Sequence, residues 1–334
     1  MSSEHDVVVV QIGEIVKHPN ADTLSVTQVD GRPVLFRTGE FVTGDRAVYL
    51  PVDTLVPVAD ERFAFLAARS VNGEGYHRLR AIKLRGVFSM GLLVKADPSW
   101  PVGGLVHDVL GTEVYDPEIA SGAAGRIRLN TPCESDPGYM APYTDIESLR
   151  KFRWAFAPDT EVVATEKIHG ANARYTYRDG RFWCGSRRTI KADTPDDIWW
   201  RALRETPGLM QMLLSCAGAT FYGEVYGRVQ DLAYDAPGSI KFVAFDAMSN
   251  AGWCDWGDLV MTCGMHGVPV APVLYRGPFS GLDDALANGP TVLGQGSHCR
   301  EGFVVRPVTH KWDPVMGRVI AKLVGEDYHL RKEG

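Results

Sequence analysis

The chain has 334 residues, 45% hydrophobic and 23% charged, with a formal net charge of −6 at pH 7. That is long enough for two domains with full cores, and the composition is that of an ordinary globular protein. The acidic balance argues against indiscriminate nucleic-acid binding, and no apolar run approaches the roughly 18 residues of a membrane span.

The opening Met1–Asp6 is polar and acidic and lacks the basic start of a secretory signal. From Val7 to Val16 the pattern is a long β-type run, followed by the polar turn Lys17-His18-Pro19-Asn20-Ala21-Asp22. Leu24, Val26 and Val29 resume a strand, and Asp30-Gly31 predicts a tight hairpin into Val34–Phe36. Further strands are expected at Ala47–Leu50, His77–Leu84 and Met90–Val94, which suggests a small β-barrel over residues 1–120. In the strand His77–Leu84 the basic residues Arg78, Arg80 and Lys83, with Arg85 after them, fit nucleic-acid contact and equally a solvated face. Residues 121–141 shift to Gly, Ala, Pro, Ser and Asp and read as a linker into a second domain, 142–334. Thr144 and Glu147 form a T-x-x-E capping box that predicts a helix through Arg153.

Val162-Val163-Ala164 is a short apolar strand that leads into Thr165-Glu166-Lys167-Ile168-His169-Gly170-Ala171-Asn172. A solvated lysine has a pKa of about 10.4, so roughly one in a thousand is a neutral amine near pH 7.4. Making a nucleophile of Lys167 therefore costs about 4 kcal/mol unless its surroundings lower that pKa. Asp179-Gly180 predicts a second hairpin, between Arg174–Tyr177 and Phe182–Cys184. Thr194-Pro195-Asp196-Asp197 predicts a helix start, with Thr194 as cap and Pro195 at the first position, and a further helix starts at Pro207. Phe221–Gly227 holds Glu224 amid aromatics and glycines; Ile240–Asp246 is a buried strand ending on Phe245; Glu301 opens the apolar strand that contains Arg306. Val319–Val324 carries Lys322, placed by alternation on the face of Ile320 and Val324. A lysine there is costly to bury unless an anion meets it. The cysteines at 133, 184, 216, 254, 263 and 299 contain no C-x-x-C pair, so neither zinc nor disulfides are suggested and a reducing cytoplasm is the expected setting.

Taken in order, K-x-H-G, S-R, G-E-x-x-G, F-D, E-G-x-V-V and A-K resemble the covalent nucleotidyltransferases, the ATP-dependent ligases and capping enzymes. Lys167–Asn172 and Glu301–Pro307 resemble in particular the RNA ligase branch that seals nicks; DNA ligases and capping enzymes usually carry Asp where His169 stands. Lys17–Gly31 and Gly44–Pro57 resemble the OB-type RNA-binding modules appended to tRNA synthetases, which implies a five-stranded barrel. The implied fold class is α+β: an N-terminal OB-type β-barrel, then an adenylyltransferase domain of antiparallel sheets flanked by helices, an ATP-grasp-like ligase fold.

The resemblance implies that Lys167 becomes a lysyl-AMP on reaction with ATP. It implies that AMP passes to an RNA 5'-phosphate and that a 3'-hydroxyl displaces it, at nicks in RNA-containing duplexes. Glu166 would read the adenine amino group, Phe245 would stack on the base and Arg187 would meet the sugar or terminal phosphate. Glu224 and Glu301 would serve the shell of Mg2+ or Mn2+, and Lys322 would neutralise the α-phosphate; His169, Asn172 and Arg306 match family positions around the nucleotide. Neither a membrane nor a protein partner is implied. Two departures stand out. Relatives often carry K-x-K at the last motif, whereas Lys322 is followed by Leu323 and Val324. The barrel also lies in front, where DNA ligases and capping enzymes carry theirs behind. Two alternatives stay open: a DNA ligase or capping-type nucleotidyltransferase, and a non-catalytic RNA-binding protein on a ligase scaffold.

Overall fold

The Asp30-Gly31 and Asp179-Gly180 turns have left-handed φ at both residues (49° and 72°, 53° and 79°), the twist that lets adjacent strands close into two-residue hairpins. The computed structural model describes residues 6–67, 75–115, 132–144, 146–187, 189–227, 229–230, 232–234 and 238–331. Contacts divide the chain into two units, residues 1–120 and 121–334.

The first unit contains β1 (Val8–Gln11), β2 (Ile15–Lys17), β3 (Leu24–Val29), β4 (Arg32–Arg37), β5 (Arg46–Leu50), β6 (Thr54–Pro57), β7 (Tyr76–Arg78), β8 (Ile82–Leu84), β9 (Val87–Ser89), β10 (Leu92–Lys95) and β11 (Glu113–Val114). They form the sheets β1-β5-β10, β11-β6-β7 and β2-β3-β4 and the hairpin β8-β9; the expected barrel is not a closed ladder among the described residues. Val7–Val16 is two strands rather than one. Ile12 bonds through both its N–H and its carbonyl to the Gly44–Asp45 turn, and the chain then leaves β5 to pair with β3. His77–Leu84 is likewise two strands, because the chain exchanges β6 for β9 as its partner. Met90–Val94 begins two residues late, at Leu92. The Lys17–Asp22 turn is fixed by His18, 1% exposed: its Nδ1 accepts from the Asn20 N–H at 3.0 Å, so Nε2 donates to the Leu84 carbonyl at 3.1 Å.

The second unit contains β12 (Cys133–Glu134), β13 (Glu147–Ser148), β14 (Glu161–Lys167), β15 (Ala171–Arg178), β16 (Arg181–Gly185), β17 (Ile190–Lys191), β18 (Thr220–Gly227), β19 (Ile240–Ser249), β20 (Gly252–Trp253), β21 (Val273–Pro278), β22 (Gly302–Pro307), β23 (Trp312–Asp313), β24 (Gly317–Arg318) and β25 (Ala321–Val324). A seven-stranded sheet runs β12-β17-β16-β15-β18-β19-β20, and a five-stranded sheet runs β13-β25-β22-β14-β21. Both are antiparallel apart from β13 beside β25. Helices Ile198–Glu205, Leu209–Ser215 and Trp256–His266 pack Trp199, Leu203, Met212 and Leu259 onto one face of the larger sheet. Val162, Ala164, Phe303, Val305, Ala321 and Leu323 build a second core on one face of the smaller sheet.

Three local expectations fail for identifiable reasons. Glu147 is not a capping residue, because β13 pairs it with Ala321; the helix that follows is only Leu149–Phe152, and its N-cap Ser148 makes no side-chain capping bond among the described residues. Thr194-Pro195 is a turn closed by the Asp197 N–H on the Thr194 carbonyl, with proline in its favoured second place. The cap is Asp197 itself, whose Oδ1 accepts from the N–H groups of Trp199 and Trp200 at 2.9 Å each. Part of the expected linker, 121–131, lies outside the described residues. Beyond it Cys133–Glu134 pairs with β17, and Met140 is buried, its carbonyl accepting from the Arg174 guanidinium.

Candidate active site

Alternation along the smaller sheet sends Val162, Ala164, Phe303, Val305, Ala321 and Leu323 into the core and leaves Lys167, Val304, Arg306 and Lys322 for the other face. β14 ends on Lys167, opposite Gly302, so Glu301 stands beside it: Lys167 Nζ donates to Glu301 Oε1 at 2.5 Å. β22 separates β14 from β25, and Lys322, paired with Val304, presents its cation on the same face as Lys167. Burial alone would raise the Glu301 carboxyl, but the charges of Lys167 and His169 outweigh it and hold the carboxyl below the usual carboxylate range; Lys322 adds to the effect.

After Lys167 the chain crosses to the larger sheet through Gly170. A Cβ at Gly170 would lie 2.2 Å from the Val225 carbonyl oxygen, so only glycine lets the two backbones approach this closely. The crossing brings Asn172 opposite Glu224 on β18, and the Gly170 N–H donates to Glu224 Oε1 at 3.2 Å. The Asn172 carbonyl accepts from the indole of Trp199 at 2.9 Å, which ties this segment to the helix behind the sheet. His169 donates its backbone N–H to Tyr234 Oη at 2.6 Å, and its Nδ1 lies 2.8 Å from Tyr328 Oη and 4.0 Å from Glu301 Oε2.

Phe245 occupies a β-bulge. Tyr222 pairs with Asp246 and Gly223 with Ala244, so Phe245 is the extra residue and is re-aimed off the ladder. Its ring meets Tyr143 edge-on at 5.0 Å and packs beside Ile168, Tyr226 and Tyr234. Glu166 is 2% exposed and holds a loop: it accepts from Thr291 Oγ1 at 2.5 Å, Val292 N–H at 2.7 Å and Leu293 N–H at 3.2 Å.

Lys167, His169, Asn172, Glu224, Glu301 and Lys322 therefore gather between facing sheet surfaces, with Glu166 and Phe245 at their margins. Arg306 does not join them. It lies opposite Val163, four residues up the strand from Lys167, and its Nη1 pairs with Asp246 at 2.6 Å. Arg187 is exposed in the turn after β16. Sequence reasoning missed Tyr234, Thr291 and Tyr328, which sit in loops or a short helix where no periodicity marks them; it also passed over Asp246 as the residue that anchors the bulge.

Glu301 Oε2 and Asn172 Oδ1 are buried with no hydrogen-bond partner among the described residues. Such hard oxygen donors beside Glu224 fit a divalent cation of the Mg2+ or Mn2+ class. Among the described residues no three His, Cys, Asp or Glu side chains are placed to hold a metal ion by themselves. Water and substrate oxygens would fill the remaining positions, as is usual for Mg2+.

Residues 160–324 match the family model described as RNA ligase, and residues 7–96 match an OB-fold domain model. A search of curated proteins gives no significant match. Among solved structures, a lysine-to-alanine variant of Naegleria gruberi RNA ligase with ATP and Mn is similar over 97% of this chain and 98% of that one (TM-score 0.81, 21% identity). The same ligase with pyrophosphate covers 97% of each chain (TM-score 0.79, 22% identity). No helix among the described residues is long and apolar enough to cross a membrane. With a ligase match across the segment that holds Lys167, Glu224, Glu301 and Lys322, and an OB-fold match ahead of it, residues 160–324 form a domain of the RNA ligase family.

Proposed function

We propose that this chain is an ATP-dependent RNA ligase that carries AMP on Lys167 and joins RNA 5'-phosphate and 3'-hydroxyl ends at nicks. The observation that carries the proposal is the Lys167–Glu301 contact at 2.5 Å, with Lys322 on the same face and Glu224 bonded to the Gly170 N–H three residues on. An ammonium bonded to a carboxylate is not a nucleophile, so the pair must part and the amine lose its proton before reaction. The cation of Lys322, on the same face of the sheet, favours that loss.

The free amine then attacks the α-phosphorus of ATP; the N–P bond forms, the bond to the β-phosphate oxygen breaks and pyrophosphate leaves. In the second step an RNA 5'-phosphate oxygen attacks the same phosphorus, and Lys167 departs as it regains a proton. In the third, the 3'-hydroxyl attacks the activated 5'-phosphate, loses its proton and expels AMP. Lys322 neutralises equatorial phosphate oxygens, and the 5.0 Å edge contact with Tyr143 fixes the ring of Phe245 against which a base can stack. A bound divalent cation would supply further charge neutralisation beside Glu224 and Glu301. The leading OB-fold domain supports RNA as the polymer bound, and the chemistry suits a cytoplasmic repair enzyme.

The test is incubation with α-phosphate-labelled ATP and Mg2+ or Mn2+. Acid-labile, alkali-stable label on wild type and none on Lys167→Ala is expected. An unlabelled wild type overturns the enzyme reading; label persisting in Lys167→Ala overturns the residue assignment alone. Nicked duplexes with RNA or DNA on each side then test nick sealing, for which an RNA 3'-hydroxyl side is expected to be required.

A further inference from the structure

Beside the turn that follows Lys167 stands a buried phenol with a proton to give. Tyr234 is 3% exposed, and its Oη accepts the His169 N–H at 2.6 Å. That bond uses an oxygen lone pair and leaves the O–H proton, for which no described residue supplies an acceptor. Burial pushes the phenol pKa well up; the His169 N–H opposes the rise, and the charges of Glu301, Glu166 and Glu224 add to it, so the proton stays. A buried donor is destabilising unless an acceptor meets it.

The chain also strains to put the phenol there. Tyr234 has φ 51°, a left-handed conformation that a bulky residue rarely adopts. Edge contacts fix its ring, with His298 at 4.5 Å and with Tyr226 at 5.8 Å. Four residues earlier, Gln230 donates its side-chain amide to the Gly170 carbonyl. Gln230 and Tyr234 thus hold the His169-Gly170 turn with one donor and one acceptor.

The place of the phenol limits what can meet it. Its ring belongs to the apolar cluster of Ile168 and Tyr226 against which Phe245 packs, and its hydroxyl reaches the turn two residues beyond Lys167. A nucleotide with its base on Phe245 and its α-phosphorus before Lys167 has its sugar between them. The charges acting on the phenol are the carboxylates of Glu301, Glu166 and Glu224, which repel a phosphate oxygen. An unprotonated base nitrogen accepts a proton but has none to pass on. A sugar hydroxyl does both, taking the phenol's hydrogen bond and giving its own to a carboxylate.

We propose that Tyr234 is a specificity-determining residue of the nucleotide site, its O–H donating to a hydroxyl oxygen of the ribose 2',3'-diol. The proposal rests on the adenylylation reading for where the nucleotide lies, but it concerns binding of the sugar and not transfer of AMP. Through Tyr234 the ribose is tied to the turn that carries the lysine, and a ribonucleotide is chosen over its deoxy analogues.

Equilibrium binding separates the sugar contact from the chemistry. Kd is measured with Mg2+ for ATP, 2'-deoxy-ATP and 3'-deoxy-ATP on the whole chain carrying Lys167→Ala, with and without Tyr234→Phe. Tyr234→Phe should weaken ATP about threefold to tenfold and leave unchanged the deoxy analogue that lacks the accepting oxygen. Equal weakening of all three nucleotides is what disturbance of the His169 turn alone would give, and it overturns the proposal; so does no weakening of ATP. If the Tyr234→Phe chain does not fold, the Lys167→Ala chain decides. At least one deoxy analogue must then bind about threefold or more weakly than ATP, and equal affinity for all three overturns the proposal. The expected pattern in a protein whose wild type takes up no label from α-phosphate-labelled ATP would refute adenylylation and uphold the ribose contact.

Discussion

Gly170→Ala offers the sharpest test of how the site is assembled. The added Cβ would stand 2.2 Å from the Val225 carbonyl oxygen and 2.9 Å from Glu224 Cγ, where ordinary contact begins at 3.4 Å. The carbonyl belongs to β18, whose Val225 pairs with Ala171, so the clash is not relieved by turning a side chain. β15 must retreat from β18 by about an ångström at the point where Asn172 faces Glu224. Overpacking of this kind costs about 1–3 kcal/mol, a fall in Tm of roughly 2–10 °C for a unit of this size. A shift of about 1 Å in an aligned site is worth roughly a hundredfold in rate. Single-turnover transfer of labelled AMP to Lys167 should therefore slow by one to two orders of magnitude at a temperature where the variant is folded. Gly264→Ala is the control. It lies inside the helix Trp256–His266 with nothing within 4 Å of its would-be Cβ, and should leave the rate unchanged and raise stability by up to about 1 kcal/mol. A Gly170→Ala enzyme that adenylylates within threefold of wild type would refute the reasoning.

The other predictions concern charge and support. Glu301 has a depressed pKa, so its stabilising contribution is complete above the ordinary value of 4.5 and is lost as pH falls through the lower folded value. The Tm difference between wild type and Glu301→Gln should accordingly be constant above about pH 5.5 and shrink below pH 4.5; a difference that grows on acidification would reverse the sign argued here. Asp246→Asn weakens the partner of two buried arginines and should cost about 3–5 kcal/mol, seen as a Tm lower by roughly 10 °C. Thr291→Val removes one of three donors to Glu166 and should raise KM for ATP more than it lowers kcat, measured by titrating ATP in the adenylylation assay. Phe245→Leu should do the same and weaken the preference for ATP over triphosphates of smaller bases.

Some of this architecture is legible in the sequence because local chemistry dictates it. Asp30-Gly31 and Asp179-Gly180 announce their hairpins, since few other pairs accept left-handed φ twice in succession. Lys167 and Lys322 stand out because alternation leaves each in an apolar strand with no local reason to be there. What escaped depends on partners distant in sequence. The backbone of Glu147 is claimed by a strand more than 170 residues later, so a sound capping pattern yields β-structure. Arg306 carries the look of a ligand contact, yet its charge is spent on Asp246; nothing within either segment records that pairing. The bulge at Phe245 is set by the register of β18 against β19, which no local pattern reveals.

The distances along the chain between site partners have a consequence for how the protein comes into being. Lys167 meets Glu301 across 134 residues, Glu166 meets Val292 across 126, and His169 meets Tyr328 across 159. Loops of that length must close before the site exists, so folding of the second unit should be slow and governed by non-local pairing. On the ribosome, the lysine segment emerges long before its carboxylate, and the histidine waits longer still for its tyrosine. Nascent chains arrested before residue 301 should therefore be unable to take up AMP. On the proposed function, the Lys167 amine should stay inert until almost all of its surroundings have been synthesised.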